Sequence, residues 1–203
     1  LNTINKTWVL SRLAIEMEDM PKAYDKFYVE TWVDDAMKYF TSRNFKVVSE
    51  SGHIYGYGKS VWALIDTGSR EPSDIFAIRG GLINEYIEKD YICPISKSSR
   101  VKITDKASLI RSIDTYYSDV DVNGHINSIK YIEHIFDLWD LDWYRQHTIK
   151  RLEIAYVAES HQGDRLHFYR EQRDSDLDFN VRITKSNEIC EEIEACRCRV
   201  LFG

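Results

Sequence analysis

Apolar and polar residues alternate along most of the chain. Runs rich in Val, Ile, Tyr, Phe and Trp, each broken by a short turn, predict strands over residues 7–15, 26–33, 43–49 and 54–66. The second half repeats the pattern at 111–118, 150–157, 164–172, 178–185 and 188–202. Ser51-Gly52 and Ser186-Asn187 mark turns between strands. One stretch departs from the period of two. Ile129, Ile132, Phe136, Trp139 and Trp143 recur at steps of three and four. That spacing predicts one amphipathic helix over about 128–144, with Asn127 as its N-cap. A shorter helix is predicted near 81–87.

The halves read as copies. Arg12-Leu13-Ala14-Ile15 matches Arg151-Leu152-Glu153-Ile154, and Asp25-Lys26-Phe27 matches Asp164-Arg165-Leu166, both at an offset of 139 (151 − 12 and 164 − 25). Asn44-Phe45 pairs with Asp178-Phe179 at 134, and Ser51-Gly52 with Ser186-Asn187 at 135. The class is therefore α+β, with two tandem modules of antiparallel sheet. They are expected at 1–95 and 107–203, joined by a polar, basic, Ser-rich linker at 96–106. The strand and helix at 111–144 have counterparts that fall before residue 1. On this reading the chain begins inside its first repeat, without that module's N-terminal strand and helix.

Composition narrows the class. Apolar residues make up 43% of the 203 and charged residues 30%, enough for a core and too apolar for disorder. The net charge of −6 argues against a nucleic-acid binder. No run is long and apolar enough to span a membrane and no signal segment opens the chain, so a cytoplasmic setting is the expectation. Cys93, Cys190, Cys196 and Cys198 do not form a dense disulfide pattern and read as free thiols. Cys196 and Cys198, two apart in a strand, should share a face.

The densest polar run is Asp119-Val120-Asp121-Val122-Asn123-Gly124-His125-Ile126-Asn127, between a predicted strand and the helix. Backbone N–H groups and the positive end of the helix dipole gather at such a junction. In extended backbone Asp121, Asn123 and His125 would face one side. The run also fills several positions of a calcium-binding EF-hand loop, but Lys130 stands where a bidentate glutamate is required, and no helix precedes it. Asp and Asn ahead of a helix are, besides, ordinary turn and cap chemistry.

With Tyr131 added, the run resembles the signature Asp-x-Asp-Val-Asn-x-His-Val-Asn-Asn-x-x-Tyr of the acyl-acyl-carrier-protein thioesterases. Trp8-Val9-Leu10-Ser11-Arg12, Tyr28 to Val33 and Ser60 to Leu64 also resemble family segments. Tyr156-Val157-Ala158-Glu159-Ser160 is similar to the family's Tyr-Arg-x-Glu-Cys, with Ser160 where plant members carry cysteine. The resemblance implies tandem hot-dog modules, each a curved antiparallel sheet around a long helix. It implies hydrolysis of a fatty acyl thioester on acyl carrier protein, without metal or organic cofactor.

A thioester is activated, so a positioned water and a general base suffice. Glu159 is the expected base or water-orienting carboxylate. His125 is expected to polarise the carbonyl or protonate the departing thiolate, and Asn123 to hold the water or the oxyanion. Asp121 is expected to orient His125, with direct attack by its carboxylate the alternative. His161 and His167 receive no role. The acidic carrier calls for a basic surface, offered by Lys97, Arg100, Lys102 and Lys106 or by Arg145, Lys150 and Arg151. A homodimer through sheet edges is a further expectation. The competing functions are an acyl-CoA thioesterase of the same fold and a non-catalytic acyl-binding protein.

Overall fold

The computed structural model describes residues 4–187 and 191–203. Internal contacts divide the chain into Leu1–Ser98 and Ser99–Gly203. In the first unit, β1 (Lys6–Met17), β2 (Phe27–Ala36), β3 (Phe40–Ser49) and β4 (Ile54–Asp66) form an antiparallel sheet in the order β2-β3-β4-β1. Ala14, Leu64, Ile75, Cys93 and Ile95 are buried in this unit. No α-helix occurs among its described residues. The short helix predicted near 81–87 is instead a 3-10 segment, Ile78–Tyr86. Arg79, Gly80 and Gly81 hold left-handed backbone there (φ 48, 66 and 81°), which α-helical hydrogen bonding does not tolerate.

The second unit contains β5 (Ser108–Asp114), α1 (Ser128–Phe136), α2 (Leu141–Gln146), β6 (Ile149–Tyr156), β7 (Arg165–Gln172), β8 (Asp178–Ser186) and β9 (Ile193–Phe202). Its antiparallel sheet runs β6-β9-β8-β7-β5. The order β7-β8-β9-β6 repeats β2-β3-β4-β1, as the sequence offsets require, and β5 adds a strand outside β7. Residues 188–190 of the last predicted strand, Cys190 included, lie outside the described residues.

Alternation gives this sheet two unlike faces. Ile154, Phe168, Val181, Ile183, Cys198 and Val200 are almost wholly buried on one of them. Each such side chain contributes about 1.5–3 kcal/mol through burial. Tyr131 and His134 of α1 meet this face at Tyr156 and Phe168, with ring centroids 5.9 and 6.2 Å apart. Cys196 and Cys198 do share it, and burial pushes both thiols up. The other face is polar and is crossed by part of the segment expected to be a linker. The N–H and hydroxyl of Ser99 both donate to Glu153, and Arg197 donates to the Val101 carbonyl at 3.2 Å. Asn180 donates to the Lys102 carbonyl at 3.0 Å, and the N–H and hydroxyl of Thr104 donate to Glu171 at 3.0 and 2.7 Å. These residues strap the sheet from β6 to β7.

The helix is shorter than its sequence period. α1 ends at Phe136, and α2 begins after Asp140, whose carboxylate caps the Trp143 N–H at 2.8 Å. Two carbonyls at the break are claimed from outside the helix: Phe136 by the Tyr144 hydroxyl and Leu138 by the Arg170 guanidinium, both at 2.7 Å. The buried stripe of α1 is Tyr131, Ile132 and Ile135. Ile129, placed on the core face by the period, is exposed because it lies in the first turn, ahead of the sheet contact. Among the described residues no helix is long and apolar enough to cross a membrane.

Candidate active site

β5 ends at Asp114, four residues earlier than predicted, and the chain turns before it reaches the polar run. The Thr115 hydroxyl donates to the carbonyls of His161 and Asp164 at 2.9 and 2.8 Å, which turns the chain out of the sheet. Asp119 is buried and ties three pieces together. Its carboxylate accepts the Tyr116 N–H at 2.8 Å and meets Nε2 of His134 at 3.4 Å, and its carbonyl accepts the Asn127 N–H at 2.8 Å. Asn127 then caps α1 as expected, its side chain accepting the Ile129 N–H at 3.0 Å.

Between Asp119 and Asn127 the backbone is a turn, so the one-sided arrangement expected of Asp121, Asn123 and His125 does not form. Gly124 supplies the left-handed residue that closes it (φ 83°). Oδ1 of Asp121 accepts the N–H groups of Asn123 and His125 at 2.8 and 3.3 Å, and Oδ2 accepts the Asn123 amide at 3.3 Å. Burial alone would raise the Asp121 pKa. The Asn123 and His125 N–H groups, the Asn123 amide and the charge of His125 together lower it. Asp121 therefore orients His125 through its backbone rather than through its ring. It also uses one of the two Asn123 amide N–H donors.

The two halves of the motif meet at one contact. Nε2 of His125 lies 3.3 Å from Oε2 of Glu159, both side chains partly exposed. The Ile126 N–H donates to the Ser160 carbonyl at 2.8 Å, which keeps the loop beside the turn that carries Glu159. Ser160 itself is fully buried and its hydroxyl has no hydrogen-bond partner among the described residues. Asn123 is exposed at the loop's tip.

Three neighbours escaped the sequence reading as site residues. The ring of exposed His161 stands edge-on to His125, centroids 5.0 Å apart at 64°. Asp164 and Lys185 lie beneath the same turn. His161 could have been suspected from its place two residues after Glu159. Lys185 interrupts the apolar alternation Phe179, Val181, Ile183, a visible signal. The calcium alternative loses its ligands, since Asp119 and Asp121 direct their carboxylates to different partners. No group of three His, Cys, Asp or Glu side chains converges as metal ligands among the described residues. Arg151 leaves the basic cluster proposed for docking, because it is buried against Glu153 at 2.8 Å.

Comparison with known proteins bears on the family and the fold. The family model described as acyl-ACP thioesterase C-terminal domain matches residues 102–199, and that for the acyl-ACP thioesterase N-terminal domain matches 1–77. A palmitoyl-acyl carrier protein thioesterase of Gossypium hirsutum is 27% identical over 90% of this chain. The chain spans 45% of that protein's length. The 12:0-ACP thioesterase of Umbellularia californica shares the fold, with a TM-score of 0.84 at 21% identity over 100% of this chain and 77% of that one. A Mycobacterium tuberculosis protein described as having a double hotdog fold superposes with a TM-score of 0.56 at 8% identity, over 96% of this chain and 75% of its own. A solved acyl-ACP thioesterase from Bacteroides thetaiotaomicron is 45% identical and covers 100% of this chain and 79% of its own, with a TM-score of 0.90. The chain, a tandem hot-dog fold whose first unit shows no α-helix among its described residues, belongs to the acyl-ACP thioesterase family.

Proposed function

We propose that this protein hydrolyses the thioester of a fatty acyl chain on acyl carrier protein, releasing the free acid. The observation that carries the reading is the 3.3 Å contact between His125 and Glu159, groups 34 positions apart in the sequence and meeting in a member of this family. Glu159 takes a proton from water as the oxygen attacks the acyl carbon. The carbonyl oxygen becomes an oxyanion, held by the Asn123 amide N–H that Asp121 leaves unused. Collapse breaks the carbon–sulfur bond, and the thiolate takes a proton from the His125 imidazolium. The proton on Glu159 then passes to His125 across their contact. The site returns to its starting state, with one water consumed and one acid and one thiol formed.

Glu159 suits the base better than Asp121 does. Asp121 accepts three hydrogen bonds and is held ionised by them, so it builds the loop. Ser160 is sealed away and is not a nucleophile. The test follows thiol release from acyl-acyl carrier protein and from acyl-CoA, using the full-length protein and its Glu159→Gln variant. Release from the carrier-protein substrate, lost in the variant, is the expected result. Preference for acyl-CoA would replace the carrier. Acyl binding without thiol release would end the enzymatic reading.

A further inference from the structure

We propose that Lys185 is a positioning residue for Glu159, acting with Asp164 as a buried ion pair that fixes the turn between β6 and β7. The inference rests on the function proposed above. Lys185 is in β8, on the face that carries Val181 and Ile183, where the alternation calls for another apolar side chain. Its ammonium reaches the end of the sheet and donates to the main-chain carbonyl of Glu159. It also lies 3.6 Å from Oδ2 of Asp164, with the two side chains 11% and 5% exposed.

Asp164 holds the other end of the turn. Its Oδ2 accepts the His161 N–H at 2.9 Å and its Oδ1 accepts the Asn187 amide at 2.7 Å. Its own N–H returns to the His161 carbonyl at 3.1 Å, and its carbonyl accepts the N–H and hydroxyl of Thr115. Burial opposes the negative form of Asp164. The Asn187 amide, the His161 N–H and the charge of Lys185 overcome it and lower the pKa. The segment bearing Glu159 is thus gripped at the Glu159 carbonyl by the cation and at the His161 N–H by the anion.

Burying an ion pair is often no better for stability than filling the same space with apolar side chains. A methionine would suit the Lys185 position on the apolar face. What it would not provide is a donor to the Glu159 carbonyl, and with it a fixed origin for the carboxylate that meets His125. Loss of about 1 Å of precision in a reacting group costs on the order of 100-fold in rate.

The experiment measures kcat and KM for thiol release by wild type, Lys185→Met, Glu159→Gln and the double variant. Lys185→Met is expected to lower kcat about 30-fold with KM within about threefold. In the Glu159→Gln background it should add less than about threefold, because the group it positions is gone. Asp164→Asn/Lys185→Met carries no uncompensated charge. It should recover part of any melting temperature lost in Lys185→Met, since the asparagine oxygen still accepts one of the two N–H groups, and still show the kcat loss, which separates positioning from stability. Hydrogen exchange at the His161 amide provides an arm independent of activity, with protection expected to fall at least about tenfold in Lys185→Met. Unchanged kcat in a folded variant overturns the proposal, as does the full loss persisting without Glu159 or unchanged exchange protection. Wild-type activity in Glu159→Gln would overturn the catalytic assignment instead, and the exchange arm would still decide whether Lys185 holds the turn.

Discussion

Two turns occupy the same place in the two units. Residues 18–26 lead from β1 to β2, and residues 157–164 lead from β6 to β7. At an offset of 139, Asp25 corresponds to Asp164 and Met20 to Glu159. At 135, Glu50 corresponds to Lys185. In the first unit Asp25 accepts the N–H of Lys22 at 2.9 Å in an exposed setting, and Met20 is 63% exposed. Glu50 meets Lys26 at 3.7 Å, with both side chains more than half exposed. In the second unit a buried cation takes the place of Glu50, the aspartate is buried, and the turn is gripped. The strand order is shared and the polar contacts of the turns are not. The difference comes from what the connections carry and from how tightly the sheet end holds them.

The same contrast holds on the polar sheet faces. Ala14 pairs in register with Lys59, and its counterpart Glu153 pairs with Arg199. Glu153 is satisfied by Ser99 and Arg151, so the strap over the second sheet is tied to a buried carboxylate. In the first unit the side-chain oxygens Asn44 Oδ1 and Asp34 Oδ1 are buried without hydrogen-bond partners among the described residues.

The sharpest way to break the comparison is at its two matching positions. Glu159→Gln should lower kcat at least about 100-fold, the scale of a lost general base. Met20→Gln, its counterpart, should leave kcat within about twofold. Equal effects at both positions, read from thiol release, would mean the second turn is not the special one.

Next in size is the buried carboxylate of the strap. Glu153→Ala leaves Arg151 buried without its 2.8 Å partner and should cost about 3–5 kcal/mol, measured by denaturant unfolding. A loss below about 1 kcal/mol would show that Glu153 does not tie the strap down. Acid sharpens the point. Burial opposes the charged form of Glu153, but hydrogen bonds from Arg151 and Ser99 win and lower its pKa below the ordinary 4.5. A carboxyl with a lowered folded pKa contributes stability above its unfolded value and loses it as pH falls through the folded one. Asp121 and Asp164, lowered from 3.8, have the same sign. The melting temperature should therefore drop as pH falls below 4.5, and Glu153→Gln should flatten that drop. A melting temperature independent of pH there would contradict the assigned network.

How far the sequence reveals this depends on the range of the interaction. Alternation located the nine strands found among the described residues because each side chain's face is a local property, and the spaced matches anticipated that the halves are copies. The helix break at Asp137 to Asp140 was not legible, since the groups that claim its carbonyls, Arg170 and Tyr144, act through tertiary contact. The motif located the loop but not its shape. Alternation suggested one face for Asp121, Asn123 and His125, whereas the Asp121 carboxylate competes for the backbone N–H groups and closes a turn. His161, Asp164 and Lys185 meet the site only when β6, β7 and β8 come together. Lys185 is the partial exception, being a charge on an apolar stripe.

The smallest effect expected in the second unit concerns Ser160, the residue that invites the most chemistry from sequence alone. It follows Glu159 directly, at the position where the family resemblance implies a cysteine in plant members. Its hydroxyl is nevertheless fully buried without a well-formed hydrogen bond, and it faces the interior beside the Tyr131 hydroxyl rather than the His125 contact. Removing a buried hydroxyl that makes no well-formed hydrogen bond relieves a desolvation cost of about 1–3 kcal/mol and leaves a small void, two effects of opposite sign. Ser160→Ala should therefore change stability by less than about 1 kcal/mol and kcat by less than about threefold. The main-chain carbonyl that orders Ile126 remains in the variant, so the loop keeps its place. A loss near that of Glu159→Gln would make the hydroxyl the attacking group, and the water mechanism would fall with it.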